Sequence, residues 1–432
     1  MRRNYKPAGR AALIIAVVWS FCPATPVQAE EPNGIGSFLS ELPLDVHGFY
    51  EVRSGYRLRN DPHEKDMSVM ENRLQLDVSS YVEWADFKVK GDVIGDLVTE
   101  EGNFDLREAY LFTMPVDFAD LKVGRQILTW GTGDLIFIND LFPKDWQSFF
   151  VGRDVEYLKA PSDAAKLSVF NDLANLDIVY VPQFDPDRFI TGRRVSYWNS
   201  NLNSLAGADA VQSADRPDSW FENSEVAARL YKSINNYEFA LYGYHGYWKS
   251  PGGQNAAGTQ AIFPGLNVYG ASVLGAVGKG IGNVEFGYYE SKDDQGGSNG
   301  LINNSEVRFL VGYEQEIGKN FTAAMQYYLE HMLDYGQYKN STPVGLARDR
   351  NRHLVTLRLT RLLMKQNLTC SLFSCYSPSD EDVYLRPNLH YKASDSLALE
   401  LGSNIFFGDH PNTFFGQFQN NTNIYAAVRY SF

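Results

Sequence analysis

Cysteine is scarce in this chain, with three among 432 residues. Cys22 sits in the N-terminal leader, so only Cys370 and Cys375 would remain in a processed chain. Their odd separation puts them on opposite faces of a strand, about 17 Å apart at about 3.3 Å per residue. That excludes a disulfide between them. Long apolar runs are also lacking. The one candidate, Ala11 to Cys22, falls short of the about 18 residues a spanning helix needs. Basic charge is in deficit, 39 Lys and Arg against 52 Asp and Glu, and the net charge of −13 argues against a general nucleic-acid binder. Catalytic and metal signatures are missing. The histidines at 47, 63, 245, 331, 353, 390 and 410 lie in no HExxH or CxxC context. Gly278-Lys279-Gly280-Ile281-Gly282 reads as a tight turn rather than a phosphate-cradling loop. Asp185 and Asp187 could hold a divalent cation, but acids in a long loop are more often merely solvated. No catalytic residue, metal or cofactor is expected. With 44% hydrophobic and 21% charged residues, disorder and fibrous structure are excluded too.

What is present begins with an address. Arg2, Arg3, Lys6 and Arg10 form a positive region, Ala11 to Phe21 an apolar one, and Val27-Gln28-Ala29 a small-residue cleavage site. Phe21 is too bulky for a lipoprotein site at Cys22. Residues 1–29 are therefore expected to be a signal peptide. Four basic residues and no acids leave with it, which takes the charge from −13 to −17. Residues 30–43 would be a short periplasmic segment.

From Leu44 to the last residue, period two dominates. Val46, Gly48, Tyr50 and Val52 alternate with His47, Glu51 and Arg53. Val307, Phe309, Val311 and Tyr313 alternate with Glu306, Arg308, Gly312 and Glu314. Segments of about ten residues, apolar on one face only, are the signature of a transmembrane β-barrel. The connections sort by length. Short turns near 84–86, 171–173, 233–236, 278–282, 317–320, 364–367 and 392–396 alternate with longer loops, including 130–162 and 184–222. Short periplasmic turns and long extracellular loops are what such a barrel needs. Eighteen strands are expected in 44–432; sixteen would follow if 87–95 and 163–171 were loops. The end of the chain, Ile424, Ala426, Val428, Tyr430 and Phe432 on one face, looks like the C-terminal strand that the outer-membrane assembly machinery recognises.

These registers put charge in the lumen. Arg53, Arg358, Arg386 and Arg429, with Lys88 and Lys90, form an expected basic wall. Glu285, Glu306, Glu314 and Glu330 form an acidic one, and Arg73 and Arg308 share the polar faces. Opposed walls would set a field across the pore; mutual neutralisation is the alternative. One hairpin is ambiguous. A turn between Pro115 and Phe118 would set Glu108 opposite Arg125, either as an ion pair in hydrocarbon, which is costly, or in the lumen. In the lumen reading Arg107, Lys122 and Gln126 face outward. The following segment, 130–162, is apolar and is expected to fold inward as a constriction. Glu108, Arg125, Asp134 and Asp140 are its candidate residues.

Leu106-Arg107-Glu108-Ala109-Tyr110, Gly124-Arg125-Gln126 and Trp130-Gly131-Thr132-Gly133-Asp134, followed by Asn139-Asp140, carry a resemblance. The stretch 104–145 resembles alginate-export-type porins and related uncharacterised outer-membrane barrels. The resemblance implies an eighteen-stranded barrel conducting an anionic or oligosaccharide solute. The expected function is an outer-membrane porin for small hydrophilic solutes. A barrel sheathing a periplasmic partner, or a transporter of apolar compounds, is the alternative. Expected partners are outer-membrane lipid and lipopolysaccharide, the solute and the assembly machinery; no nucleic acid is expected, and a homo-oligomer is left open.

Overall fold

The computed structural model describes residues 43–342 and 347–432. The expected signal peptide and most of the periplasmic segment lie outside the described residues. The first six strands are β1 (Leu44–Arg57), β2 (Met67–Val82), β3 (Ala85–Asp96), β4 (Glu101–Val116), β5 (Ala119–Gln126) and β6 (Ser162–Val169). The next six are β7 (Asn175–Val181), β8 (Glu225–Ile234), β9 (Tyr237–Tyr247), β10 (Gly265–Val277), β11 (Gly280–Ser291) and β12 (Glu306–Gly318). The last six are β13 (Phe321–Met332), β14 (Asn351–Leu363), β15 (Leu368–Ser377), β16 (Asp382–Lys392), β17 (Leu397–Gly408) and β18 (Asn423–Ser431). Each pairs antiparallel with its sequence neighbours, and β1 pairs with β18 to close the barrel. Both doubtful segments, at β3 and β6, are strands of the wall. Closure leaves no strand edge unpaired toward lipid.

Period two decides which face goes where. Along β1, Glu51, Arg53 and Arg57 are buried, while Tyr50, Val52 and Tyr56 are exposed. Opposite them on β18, Val428 and Tyr430 are exposed too. The pattern recurs around the ring, with Leu241, Tyr269 and Met325 more than half exposed. Buried charge and exposed apolar side chains invert the order of a protein in water, where such a belt would be a large sticky patch. In hydrocarbon the belt is the favoured surface.

The turns at one end are tight. Asn235 and Asn236 link β8 to β9, both with positive φ (48° and 69°), the geometry of a two-residue hairpin that twists with its strands. The other end carries the long connections, with two exceptions. Residues 97–100 and 378–381 are short, because β4 starts at Glu101, earlier than alternation alone suggests, and β15 and β16 meet in a four-residue turn. Closure has a steric requirement at Gly48. Its N–H donates to the Phe432 carbonyl at 3.0 Å, and the Phe432 N–H donates back at 3.0 Å. A side chain at Gly48 would start 2.8 Å from the Phe432 ring, which fills that space.

Cys370 and Cys375 are unbonded, one partly buried and one buried.

Candidate functional site

After Gln126 the chain turns into the barrel. Ile138, Phe142, Phe149, Phe150, Val151 and Leu158 are all buried there, against wall residues such as Leu310, Tyr384 and Phe406. Water inside a barrel cannot hold so much apolar surface apart, and burial of each such side chain stabilises by roughly 1.5–3 kcal/mol. The loop has its own small frame. Helix α1 (Trp146–Val151) is capped by Asp145, whose carboxylate accepts from the Ser148 N–H at 2.7 Å. It ends at Gly152, with φ of 90°. That position demands glycine twice: for the left-handed backbone and because a Cβ would collide with the Tyr425 ring.

Charged latches hold the loop at several places on the wall. On β11 the Glu285 carboxylate accepts from the Thr132 N–H, the Gly133 N–H (2.8 Å) and the Asn139 amide (3.1 Å). The Tyr289 hydroxyl donates to the Ile138 carbonyl. On β14, Arg358 donates twice to the Asp134 carboxylate, at 2.5 and 2.7 Å. Gln326 of β13 exchanges hydrogen bonds with the Asp134 backbone, both 2.9 Å. On β1 and β2, Arg53 donates to the Gly152 carbonyl at 2.7 Å and Glu71 binds Arg153. Tyr157 lies between Arg73 and Arg107, with guanidinium carbons 4.1 and 4.8 Å from its ring centre. Arg429 of β18 reaches Asp154 at 3.3 Å and Glu156 at 3.6 Å. The loop therefore touches opposite sides of the wall.

A second loop, 182–224, also turns inward. Asp187 accepts from the Lys144 N–H (2.7 Å), the Trp146 indole (3.1 Å) and the Ser250 hydroxyl (2.6 Å). It is a buried acceptor rather than a solvated acid. Arg188 donates to Asp105 at 2.7 and 2.8 Å, and Arg194 pairs with Asp96.

The expected opposed walls do not form. Arg53 binds Glu51 and Glu400, Arg429 binds the same Glu51, and Arg73 binds Asp92 at 2.5 Å. Lys88 reaches Asp77 at 3.0 Å and Glu108 at 3.8 Å; Lys90 reaches Asp77 at 4.0 Å. Arg308 pairs with Glu306, and Glu330 lies 3.9 Å from its Nε. Arg386 donates to the Arg153 carbonyl at 2.9 Å. Glu285 is buried beneath the loop, while Glu314 lies exposed toward the short-turn end. Bringing such buried like charges together without carboxylates between them would be costly. Interleaving is the physical solution.

The Glu108–Arg125 pair is not there. The register sets Ala109, not Glu108, opposite Arg125. Arg125 instead donates to Asp163 of β6 at 2.8 and 2.7 Å. It lies on the face opposite the buried Gln126, so it does not line the constriction. Arg107 and Lys122 were expected outside. Arg107 is buried against the loop, donating to the Lys159 carbonyl at 2.9 Å, and Lys122 sits 3.7 Å from the Tyr110 ring centre. The cause is a bulge: Lys90 pairs with Glu108 and Gly91 with Leu106, which leaves Arg107 over. One extra residue lets Arg107 and Glu108 both turn inward. Asp140 does sit in the loop, buried, with Lys144 at 3.0 Å. Glu71, Arg153 and Tyr157 were missed by sequence reasoning, and Asp187, read there as a cation-holding or solvated acid, is instead an acceptor that ties two loops together. Asp145 ahead of Trp146 is a local helix-cap signal that could have pointed to the helix in this loop.

Beyond the loop, toward the long connections, lies a cavity of about 910 Å³. Phe137, Trp146, Trp248, Phe414, Arg308 and Glu330 are among its walls.

No protein-family model matches this sequence, and no curated protein matches it. Solved structures do. Acinetobacter baumannii OccAB3 is similar at a TM-score of 0.56 and 12% identity, over 90% of this chain and 99% of that one. Pseudomonas aeruginosa OccK3 (OpdO) gives 0.54 and 12%, over 90% and 96%. Pseudomonas aeruginosa OccD3 (OpdP) gives 0.53 and 11%, over 90% and 91%. The resemblance to alginate-export-type porins is not shown by these comparisons. At such identities the likeness is one of fold, and the shared fold is a closed eighteen-stranded antiparallel barrel of the kind that sits in the bacterial outer membrane.

Proposed function

We propose that this barrel is a passive outer-membrane channel for small hydrophilic solutes, narrowed by the loop between β5 and β6. The observation that carries the reading is the loop itself, seated inside the lumen and latched to β1, β11, β14 and β18. A segment so placed narrows the lumen without closing the cavity above it. It also takes the space that a sheathed periplasmic partner would need, which speaks against the scaffold reading. The interleaved charges support a channel of weak ionic preference. Single-channel conductance of the refolded mature protein in a planar bilayer tests this. Stable conductance is expected, and deletion of residues 133–150 should raise it severalfold. Silence from a heat-modifiable, folded barrel would overturn the channel; unchanged conductance after deletion would overturn the constriction.

A further inference from the structure

The wall is lowest on one side. β5, β6 and β7 have eight, eight and seven residues, whereas a strand tilted through a bilayer needs about 9–11. These three follow one another around the ring, and the other wall strands run from nine residues to sixteen.

An ion pair faces outward in the same sector. Arg125 of β5 stands opposite Asp163 of β6 on one side and Ala109 of β4 on the other. It donates to the Asp163 carboxylate from Nε and Nη2, at 2.8 and 2.7 Å. Gln126, Ser162 and Ala164 are buried and mark the lumen face of these two strands. Alternation then turns Arg125 and Asp163 outward, on the face of Val123, which is 44% exposed. Elsewhere the ion pairs between neighbouring strands, such as Arg73–Asp92 and Lys166–Asp177, lie on the lumen faces.

The pair sits at membrane depth. Phe118 and Phe170 are exposed and joined by a backbone hydrogen bond of 2.8 Å, and they mark the margin of the apolar belt at the short-turn end. Arg125 lies seven residues from Phe118, and Asp163 seven from Phe170. At about 3.3 Å per residue and a tilt of about 45°, that is about 16 Å along the bilayer normal, inside a belt about 25 Å tall. On β3 and β4 the exposed apolar surface continues past this level through Val93 and Phe104. Trp220 and Phe221 add exposed rings just past β7, where the Phe221 N–H donates to the Pro182 carbonyl at 2.7 Å.

Hydrocarbon is a poor surrounding for such a pair. Among the described residues, Nη1 of Arg125 has no acceptor, and the Asp163 oxygens keep lone pairs free. Lipid tails return nothing for them. A protein face with a carboxylate and a guanidinium at the same depth does, and a second copy of this chain carries that face. Copies inserted in one orientation are related by an axis along the bilayer normal, so equal depths meet. A two-fold axis sets the left of one face against the right of the other. Arg125 of each copy then meets Asp163 of the other, and four charges alternate. A three-fold ring joins two different surfaces and does not repeat this match. Ala109 beside Arg125, and Ala165 two residues past Asp163, leave room for a second backbone to approach.

We propose that β4–β7 form the contact face of a two-fold dimer of this barrel, closed by a ring of two Arg125 and two Asp163 side chains. The dimer covers the low wall with protein where the bilayer would otherwise have to thin. The contact lies on the outer face and stands whether or not the lumen conducts.

The test uses the full mature protein, refolded in detergent and reconstituted in phospholipid vesicles. Sedimentation in detergent should give the mass of two chains. In vesicles, with Cys370 and Cys375 replaced by Ser, Val123→Cys should form a disulfide between copies on oxidation by copper phenanthroline. Leu357→Cys, exposed on β14 across the ring, should not. Arg125→Asp brings four carboxylates together and should lower the dimer fraction about tenfold. Arg125→Asp combined with Asp163→Arg alternates the charges again and should restore the dimer. Heat-modifiable migration selects the folded fraction of each variant. The mass of one chain or of three overturns the proposal. So does cross-linking of Leu357→Cys as strong as that of Val123→Cys, a dimer indifferent to Arg125→Asp, or a folded double variant that stays monomeric.

Discussion

Glu285 shows how much one side chain can hold. Its carboxylate accepts from two backbone N–H groups and one amide of the inward loop. Glu285→Ala leaves those buried donors unpaired, at roughly 1–3 kcal/mol each. The expected outcome is a loosened loop, seen as a higher mean conductance and noisier open-channel current than wild type. Glu64, in the connection 58–66, makes a different prediction. Burial pushes its carboxyl up from 4.5 to about 7, with Arg57 pulling against the rise and Asp61 adding to it. The folded form thus binds the proton more tightly than the unfolded form. Its contribution to docking this loop is complete below about pH 4.5 and is lost as pH rises through about 7. Hydrogen exchange of residues 59–66 should lose protection between those limits in wild type. In Glu64→Gln the protection should be flat; equal pH dependence in both proteins would refute the idea.

Among the elements, the closing hairpin of first and last strands is the most demanding. The Gln75 carbonyl of β2 and the Phe432 ring both lie where a Gly48 side chain would start, at 2.5 and 2.8 Å. Gly48→Val therefore forces the last strand away, at a cost of about 1–3 kcal/mol for overpacking. The heat-modifiable folded band should fall in yield, and Phe432→Ala in the same chain should restore part of it. The β3–β4 pair teaches a second lesson. Alternation read strictly along β4 put Arg107 outside, yet the bulge at that residue brings it in beside Tyr157. Period two is a rule about paired residues, and an unpaired one resets the faces. The sequence has no local mark of that reset, because Arg107 is chosen by the loop it meets rather than by its neighbours in the strand.

At the scale of the whole molecule, charge is distributed rather than walled. Arg53 and Arg429 share Glu51, while Arg358, placed with them in the sequence reading, is spent on Asp134. The reversal potential under a salt gradient should accordingly stay near zero. A strongly anion-selective pore would show that the latches open in the membrane and free their arginines.

Much of the barrel was legible before any coordinates. Each strand reports its own face through its alternation, and Phe49 through Arg57 needs no distant partner to be read correctly. Loop lengths told the end with tight turns from the end with long connections, and the final alternating segment is the strand that closes the barrel. Strand number, closure and the apolar belt are thus properties of the sequence itself, since hairpin pairing is local and hydrocarbon rewards a repeated outward pattern. The apolar content of 130–162 was the ground for expecting an inward loop. Where that loop lands was decided only in three dimensions. Its contacts join Asp134 to Arg358 and Arg153 to Glu71, single side chains brought together from far along the chain. Such pairs repeat nowhere and leave no period to detect. The cavity beyond the loop, the bulge at Arg107 and the neutralised lumen all follow from that packing, because a buried charge pairs with whatever the fold brings within reach.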